Sequence, residues 1–150
     1  MLWETRNPAG RLELEVQQGS GASAVVQGSA TSPLKLLTPR PRGRSVWAYV
    51  SSYGGGMVSG DEHHLDVTIG AGATAFFGTQ SSTKVYRSPS GLPCVQRTRA
   101  TVGAGSFLAW VPDPVQAFAG ARYRQEQEIR ISASSGLVWV DGFTAGRSER

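Results

Sequence analysis

The stretch Leu65–Gln80, LDVTIGAGATAFFGTQ, carries the pattern that decides the fold. An arm rich in β-branched residues runs into a turn of small residues and continues into a second apolar arm. The arrangement returns about every thirty residues, at Arg99–Asp113 (RATVGAGSFLAWVPD), at Glu128–Gly142 (EIRISASSGLVWVDG) and, more faintly, at Leu14–Val26. Because apolar β-rich arms joined by glycine turns are typical of hairpins, the repeat predicts hairpins that stack on one another.

The fold class predicted from this repeat is all-β, an irregular β-solenoid or sandwich-like scaffold with little helix. A second pattern supports it, because between Ala121 and Ile131 every even position is charged and no odd position is. That alternation predicts a half-exposed strand. With 19 Gly and 8 Pro among 150 residues, long helices are disfavoured. We expect one β-rich domain over residues 1–150.

Composition excludes several classes of function. A net charge of +4 without a basic run argues against a nucleic-acid binder, and no apolar run is long enough for a membrane span. The single cysteine, Cys94, rules out an intrachain disulfide, and the first residues lack a secretory signal, so a cytoplasmic location is expected. The CxxC, HExxH, GxSxG and phosphate-loop motifs are absent.

The segment 54–64, GGGMVSGDEHH, is the densest candidate for metal chemistry. Adjacent His63 and His64 would point to opposite faces of a strand, which argues against a cupin-type site. If the strand through Leu65 extends back to residue 61, Asp61 and His63 face inward. An inward carboxylate must be paired, hydrogen-bonded or hydrated. Asp61 therefore either braces the glycine turn or serves a functional site, and the pattern leaves both open.

Two further segments combine polar side chains with turns. In Thr79–Ser88, TQSSTKVYRS, Ser81 stands three residues before Lys84, but the companion motifs of a Ser-Lys nucleophile are missing. A polar, hydrogen-bonded strand and turn is the favoured interpretation. In Trp139–Arg147, WVDGFTAGR, Asp141 lies among aromatic residues and glycines, a pattern also typical of a turn at the end of a buried strand.

Six ordered blocks, read together, resemble the D-type urease accessory proteins, called H in some bacteria. The blocks are SPLKLLTPR, SSYGGGMVSGD, TQSSTKVYRS, VGAGSFLAWVPDP, FAGAR and WVDGFTAGR, within residues 32–147. The resemblance implies a β-rich solenoid and a non-enzymatic scaffold that binds apo-urease. It further implies that the F-type and G-type accessory proteins are partners, and that nickel passes in transit without a tightly bound cofactor.

The resemblance also assigns candidate site residues, because family members are thought to carry a water-filled tunnel for nickel. Asp61 and Asp141 match its acidic positions, and Thr83 with Lys84 matches a polar pair. His63 is a weaker metal candidate because of its inward position, and Asp61 is expected to contribute more than Asp141. Ala109 replaces a Glu that the family often carries. Family members are close to twice this length, so the chain is expected to be the N-terminal part of a longer fold.

Two other classes of function remain open at this point. A β-solenoid interaction or carbohydrate-binding module would use tryptophans as stacking platforms, with Trp47, Trp110 and Trp139 as the candidates. A metal-dependent hydrolase would use Asp61, His63 and His64, although no second ligand cluster or general base is visible in the sequence.

Overall fold

A computed structural model describes residues 9–147 of the chain. The first eight residues, where the sequence lacks a secretory signal, and the last three lie outside the described part. The described residues form strands and one short 3₁₀ turn, Tyr53–Gly55, so the predicted all-β class is confirmed. Within residues 9–147 no helix is long and apolar enough to cross a membrane.

The strands fall into three sheets, here called A, B and C. In chain order they are β1 (Gly10–Gln18), β2 (Ser23–Ala30), β3 (Leu34–Leu37), β4 (Val46–Ser52), β5 (Gly56–Met57), β6 (Glu62–Ile69), β7 (Thr74–Thr79), β8 (Lys84–Val85), β9 (Cys94–Val102), β10 (Phe107–Val111), β11 (Val115–Ala117), β12 (Tyr123–Ile131), β13 (Gly136–Trp139) and β14 (Phe143–Ala145).

Successive coils place one strand in each sheet. Sheet A has the order β12-β9-β6-β1-β2, sheet B the order β13-β10-β7-β4-β3, and sheet C the order β14-β11-β8-β5. Neighbouring coils pair in parallel, whereas β2 and β3 add antiparallel strands at one end. This is a β-solenoid, which confirms the class predicted from the repeat.

One detail of that prediction is wrong: the two arms of a repeat do not pair as a hairpin. β6 lies in sheet A and β7 in sheet B, so the glycine turn between them is a corner. The corner closes through a bond from the Ala73 N–H to the Gly70 carbonyl, with Gly72 at φ 72°. Each arm then pairs with the neighbouring coils. Only the faint copy, Leu14–Val26, is a true hairpin, formed by β1 and β2.

The core lies between sheets A and B and follows the register of the coils. From sheet B, Phe77, Trp110 and Trp139 stack face to face, with ring centroids 4.3 and 4.7 Å apart. Sheet A supplies buried aliphatic residues from alternate positions, which are Leu12, Leu14, Val16, Leu65, Val67, Ile69, Ala100 and Val102. Aromatic side chains of one coil therefore pack on aromatic side chains of the next, and aliphatic on aliphatic, which is typical of repeat architectures.

The charged strand predicted between residues 121 and 131 is confirmed as β12. Its even-numbered charges lie on the outer face of sheet A, where Glu126 accepts a bond from Arg97 at 2.9 Å. Arg97 also contacts Glu62 at 3.2 Å, so the ion pairs cross three strands. These contacts raise the pKa of Arg97.

Candidate functional site

A cavity of about 50 Å³, with a polar and an apolar wall, lies inside the solenoid, where the strands of sheet A begin. A volume of this size holds a few water molecules. Its apolar wall is formed by Leu65, Phe77 and Trp110, and its polar wall by amide, hydroxyl and carboxylate side chains. The cavity is therefore the place where the solenoid core changes from apolar to hydrated.

The inner end of the cavity is formed by His63, which is only 3% exposed. On neighbouring coils it stands in register with Gln96, and Gln96 stands in register with Gln125. The inward orientation predicted for His63 is thus confirmed. Burial lowers the pKa of His63 to about 4, against a smaller opposing effect of Asp61, so the imidazole is neutral near pH 7.

The outer end of the cavity carries two exposed carboxylates, Asp113 and Asp141. Gln125 Nε2 donates to both oxygens of Asp141, at 2.9 and 3.1 Å, and Gln125 Oε1 accepts from the Tyr123 hydroxyl at 2.9 Å. Burial first, and then the charge of Asp141, raise the pKa of Tyr123, which keeps this donor protonated.

The second carboxylate, Asp113, is held in place by Thr79. Thr79 Oγ1 donates to Asp113 Oδ2 at 2.9 Å and accepts from the Asp113 backbone N–H at 2.8 Å. Hydrogen bonds therefore hold both carboxylates in the exposed part of the lining. Carboxylates beside an apolar wall create a negative potential that attracts cations.

The structure separates the residues that the sequence singled out. Thr83 lines the cavity with Ser81 and Ser82, whereas Lys84 is exposed on β8 and is not part of the lining. Of the five candidates, Asp141, His63 and Thr83 therefore line the cavity.

Asp61 occupies the turn before β6 and does not line the cavity. Its Oδ2 accepts from the Val58 N–H at 2.9 Å, and its own N–H donates to the Val58 carbonyl at 3.0 Å. Asp61 precedes His63 by two residues, and its charge partly opposes the lowering of the His63 pKa by burial. The geometry favours turn bracing, the first of the two interpretations left open for Asp61.

The polar cavity residues that sequence reasoning did not single out include Gln96, Gln125, Gln127 and Asp113. Asp113 belongs to the segment PDP, residues 112–114, whose sequence predicts only a loop. The signal for Gln125 and Gln127 was present, because these two amides occupy uncharged odd positions of the β12 pattern, on the face opposite to the charges. Inward glutamines in a strand mark a polar interior.

The other candidate sites do not form as expected. Trp110 is buried and Trp139 stacks on it in the core, so of the three proposed platforms only Trp47 is exposed. His64 points outward and lies 3.3 Å from Glu62, on the face opposite to His63. Within residues 9–147 no group of three or more His, Cys, Asp or Glu side chains is placed to hold a metal ion.

The fold and cavity define a β-solenoid whose apolar interior contains a partly polar cavity with two exposed carboxylates in its lining. The sequence model of the UreD urease accessory protein matches residues 8–150, so the chain belongs to the UreD family. It is 47% identical over 142 residues to the urease accessory protein UreD of Anaeromyxobacter sp. (strain Fw109-5), covering 95% of this chain and 48% of that protein.

Two further relatives give the same coverage pattern. Urease accessory protein UreD of Sorangium cellulosum is 46% identical, over 95% of this chain and 45% of its own length. Urease accessory protein D of Arabidopsis thaliana is 43% identical, over 88% of this chain and 46% of its own length. The chain therefore spans about half the length of the curated relatives it matches.

Proposed function

We propose that this chain is a urease maturation factor, a non-enzymatic scaffold that binds apo-urease and, with the F-type and G-type accessory proteins, assists nickel delivery in the cytoplasm. Membership of the UreD family supports the accessory role. The observation that carries the nickel part is the cavity, whose open end holds Asp113 and Asp141 and whose inner end holds His63.

The chemistry of the cavity suits transit better than storage. Carboxylates, amides and waters give a divalent cation oxygen ligands, and conduction requires binding that is favourable on entry yet weak enough for release. No closed cage of ionisable ligands is present among residues 9–147. A cation entering between Asp113 and Asp141 would therefore remain exchangeable.

Co-expression tests the binding part of the proposal. We expect the chain to co-purify with apo-urease when the urease structural subunits and the F-type and G-type proteins are expressed with it. Absence of the chain from the purified complex would contradict the scaffold role.

Charge-removing substitutions test the nickel part under limiting nickel. We expect Asp141→Asn and Asp113→Asn to leave the complex intact and to lower urease activation, because each removes charge from the cavity opening. Asp61→Asn keeps an acceptor for the Val58 N–H and should change activation less, which reverses the order expected from sequence. Full activation with both cavity variants would exclude this cavity as the path.

A further inference from the structure

Residues 16–60, which include β2 and β3, carry all of the chain's excess positive charge. This part of the sequence contains four cations, Lys35, Arg40, Arg42 and Arg44, and no Asp or Glu. Elsewhere in the chain 11 Lys and Arg balance 11 Asp and Glu. None of the four cations forms an ion pair with another residue of the part that the structure describes. Their charge is therefore available to an anionic partner.

The three arginines lie in the loop that joins β3 to β4, residues 38–45, here called the arginine loop, and all three are exposed. Hydrogen bonds hold the loop where it approaches β2 and β4. The Ser23 N–H of β2 donates to the Arg44 carbonyl at 2.9 Å, and Ser45 Oγ lies 2.8 Å from Thr74 Oγ1. The arginine loop therefore places its positive charge beside the start of β2.

A groove of about 500 Å³ is lined by residues of both β2 and β3, the outer strands of sheets A and B. Its apolar lining residues are Val25, Ala30, Leu34 and Leu36. Lys35 is the charged residue of this lining, and Thr38, where the arginine loop begins, also contributes to it. The groove is thus apolar, bordered by positive charge and lined by no acidic residue.

The strand β2 also presents its backbone at the edge of sheet A. In an antiparallel strand the N–H groups of alternate residues point to opposite sides. Because the Ser23 N–H points away from β1 to the Arg44 carbonyl, the Val25 N–H points away from β1 as well. Exposed edges are usually protected by charged side chains, but none of the eight residues of β2 is charged. An edge of this kind accepts an added strand.

We propose that the groove, the edge of β2 and the arginine loop form a docking site for an extended, acidic segment of a partner protein. The segment adds a strand to β2, its alternate apolar side chains occupy the groove, and its carboxylates face the arginine loop. Complementary charge accelerates the encounter and fixes the register of the added strand. The inference does not rest on the proposed function, because it specifies the chemistry of the docking segment and makes no use of the cavity.

The groove favours a peptide over a nucleic acid as the occupant. Phosphate groups are bound by Lys and Arg side chains and by backbone N–H groups, which position the nucleic acid without an apolar surface. A peptide strand with alternate apolar side chains uses the arginines, the apolar groove and the strand edge together. We therefore assign the surface to a protein segment.

The first experiment measures binding of the fluorescent peptide EEDVTVTVDEE to the full 150-residue chain by fluorescence anisotropy. The acidic residues at both peptide ends allow either strand direction to bring carboxylates to the arginine loop. We expect this peptide to bind at least about tenfold more tightly than KKKVTVTVKKK, which has the wrong charge, or EEDGSGSGDEE, which lacks apolar side chains. Added salt should weaken the binding. Equal affinity for all three peptides overturns the proposal.

The second experiment changes the charge of the chain. The arginine-loop variant combines Arg40→Gln, Arg42→Gln and Arg44→Gln. It should bind the acidic peptide at least about fivefold more weakly, which corresponds to the loss of three exposed ion pairs.

A matched control removes three exposed arginines from the outer face of sheet A, and it combines Arg99→Gln, Arg124→Gln and Arg130→Gln. These side chains lie on β9 and β12, three and four strands away from β2, which is roughly 14–19 Å. Charges at that distance are largely screened at physiological salt, so the control should stay within about twofold of wild type. Equal peptide binding by the arginine-loop variant and wild type overturns the proposal.

Val25→Pro tests the strand addition. Proline removes the outward N–H of Val25 and is tolerated on edge strands. We expect peptide binding at least about threefold weaker than in wild type, with an unchanged circular dichroism spectrum, because a main-chain hydrogen bond to the peptide is lost. Wild-type peptide affinity in the folded Val25→Pro chain overturns the strand addition.

Two other occupants are distinguished by the same measurements. Tighter binding of a single-stranded thymine oligonucleotide than of the acidic peptide would assign the surface to nucleic acid. A dimer that the arginine-loop variant abolishes, without peptide binding by wild type, would assign it to a second copy of the chain. Either result overturns the proposal. Peptide binding requires neither nickel nor apo-urease, so its outcome is independent of the co-purification that tests the proposed function.

Discussion

At the scale of single residues, a row of polar side chains on the inner face of sheet A determines how polar the interior is. One row of paired residues across sheet A consists of His63, Gln96 and Gln125. Two residues further along the same strands, the next row on this face consists of Leu65, Thr98 and Gln127. Thr98 Oγ1 is buried without a partner among the described residues, so polarity extends one step into the core. Strand parity points each of these side chains inward, and their chemistry then sets the hydration of the cavity.

The buried imidazole makes stability depend on pH. The pKa of His63 is about 4 in the folded chain and near the ordinary 6.5 when unfolded, so the unfolded state binds the extra proton between those values. Stability is complete above pH 6.5 and falls as the pH drops toward 4. By linkage, His63 costs about 2 kcal/mol at pH 5. Urea unfolding of wild type at pH 7 and pH 5 should show this loss.

Two histidine variants test whether the titration of His63 causes this loss of stability. Between pH 7 and pH 5, His63→Gln should lose less stability than wild type, because glutamine does not titrate. His64→Gln should follow wild type. A loss of the same size in wild type and His63→Gln would show that other groups cause the acid sensitivity.

At the scale of elements, the corners between sheets A and B determine how closely the coils stack. The turn of one coil bonds to the turn of the next, from Gly103 N–H to the Ile69 carbonyl at 2.8 Å and from Gly72 N–H to the Ala104 carbonyl at 2.9 Å. A Cβ on Gly103 would lie 3.0 Å from the Ala71 nitrogen and the Ile69 oxygen. Glycine is thus required there for close approach.

Replacing Gly103 by alanine should therefore destabilise the chain by about 1–3 kcal/mol, because backbone atoms of the neighbouring corner must move. Gly105→Ala is the matched control: its φ is 63° but a Cβ there meets nothing within 4 Å, so only the left-handed backbone costs energy, about 1–2 kcal/mol. Thermal and urea unfolding measure both. An unchanged free energy of unfolding in Gly103→Ala would contradict this prediction, because it would mean that the neighbouring corners can move apart without destabilising the fold.

At the scale of the whole molecule, the two large faces differ in character. The outer face of sheet A carries crossed ion pairs, whereas on the outer face of sheet B the row Trp47, Phe76, Ala109 and Val138 runs across four strands without a charge. In the described residues β12, β13 and β14 are edge strands. Exposed apolar surface and unpaired strand edges both favour association.

We therefore expect the isolated chain to self-associate in a concentration-dependent way and to be rescued by its partners. Light scattering should decrease in the double variant Trp47→Glu with Val138→Glu, which are 42% and 44% exposed, without a loss of fold by circular dichroism. Arg99→Gln, on the charged face, is the control and should scatter like wild type. A wild-type chain that stays monomeric at high concentration would contradict the expectation.

The sequence by itself determined the strand content, the thirty-residue repeat, the inward position of His63 and the charged face of β12, because period two and glycine turns are local properties. It could not tell a hairpin from a corner, since the arms alternate identically whether they pair with each other or with neighbouring coils. The sequence also could not predict that Asp113 and Asp141 line the same cavity, or that Asp61 does not line it. Those positions depend on the register between coils, which joins residues about thirty apart and is decided only when the coils stack.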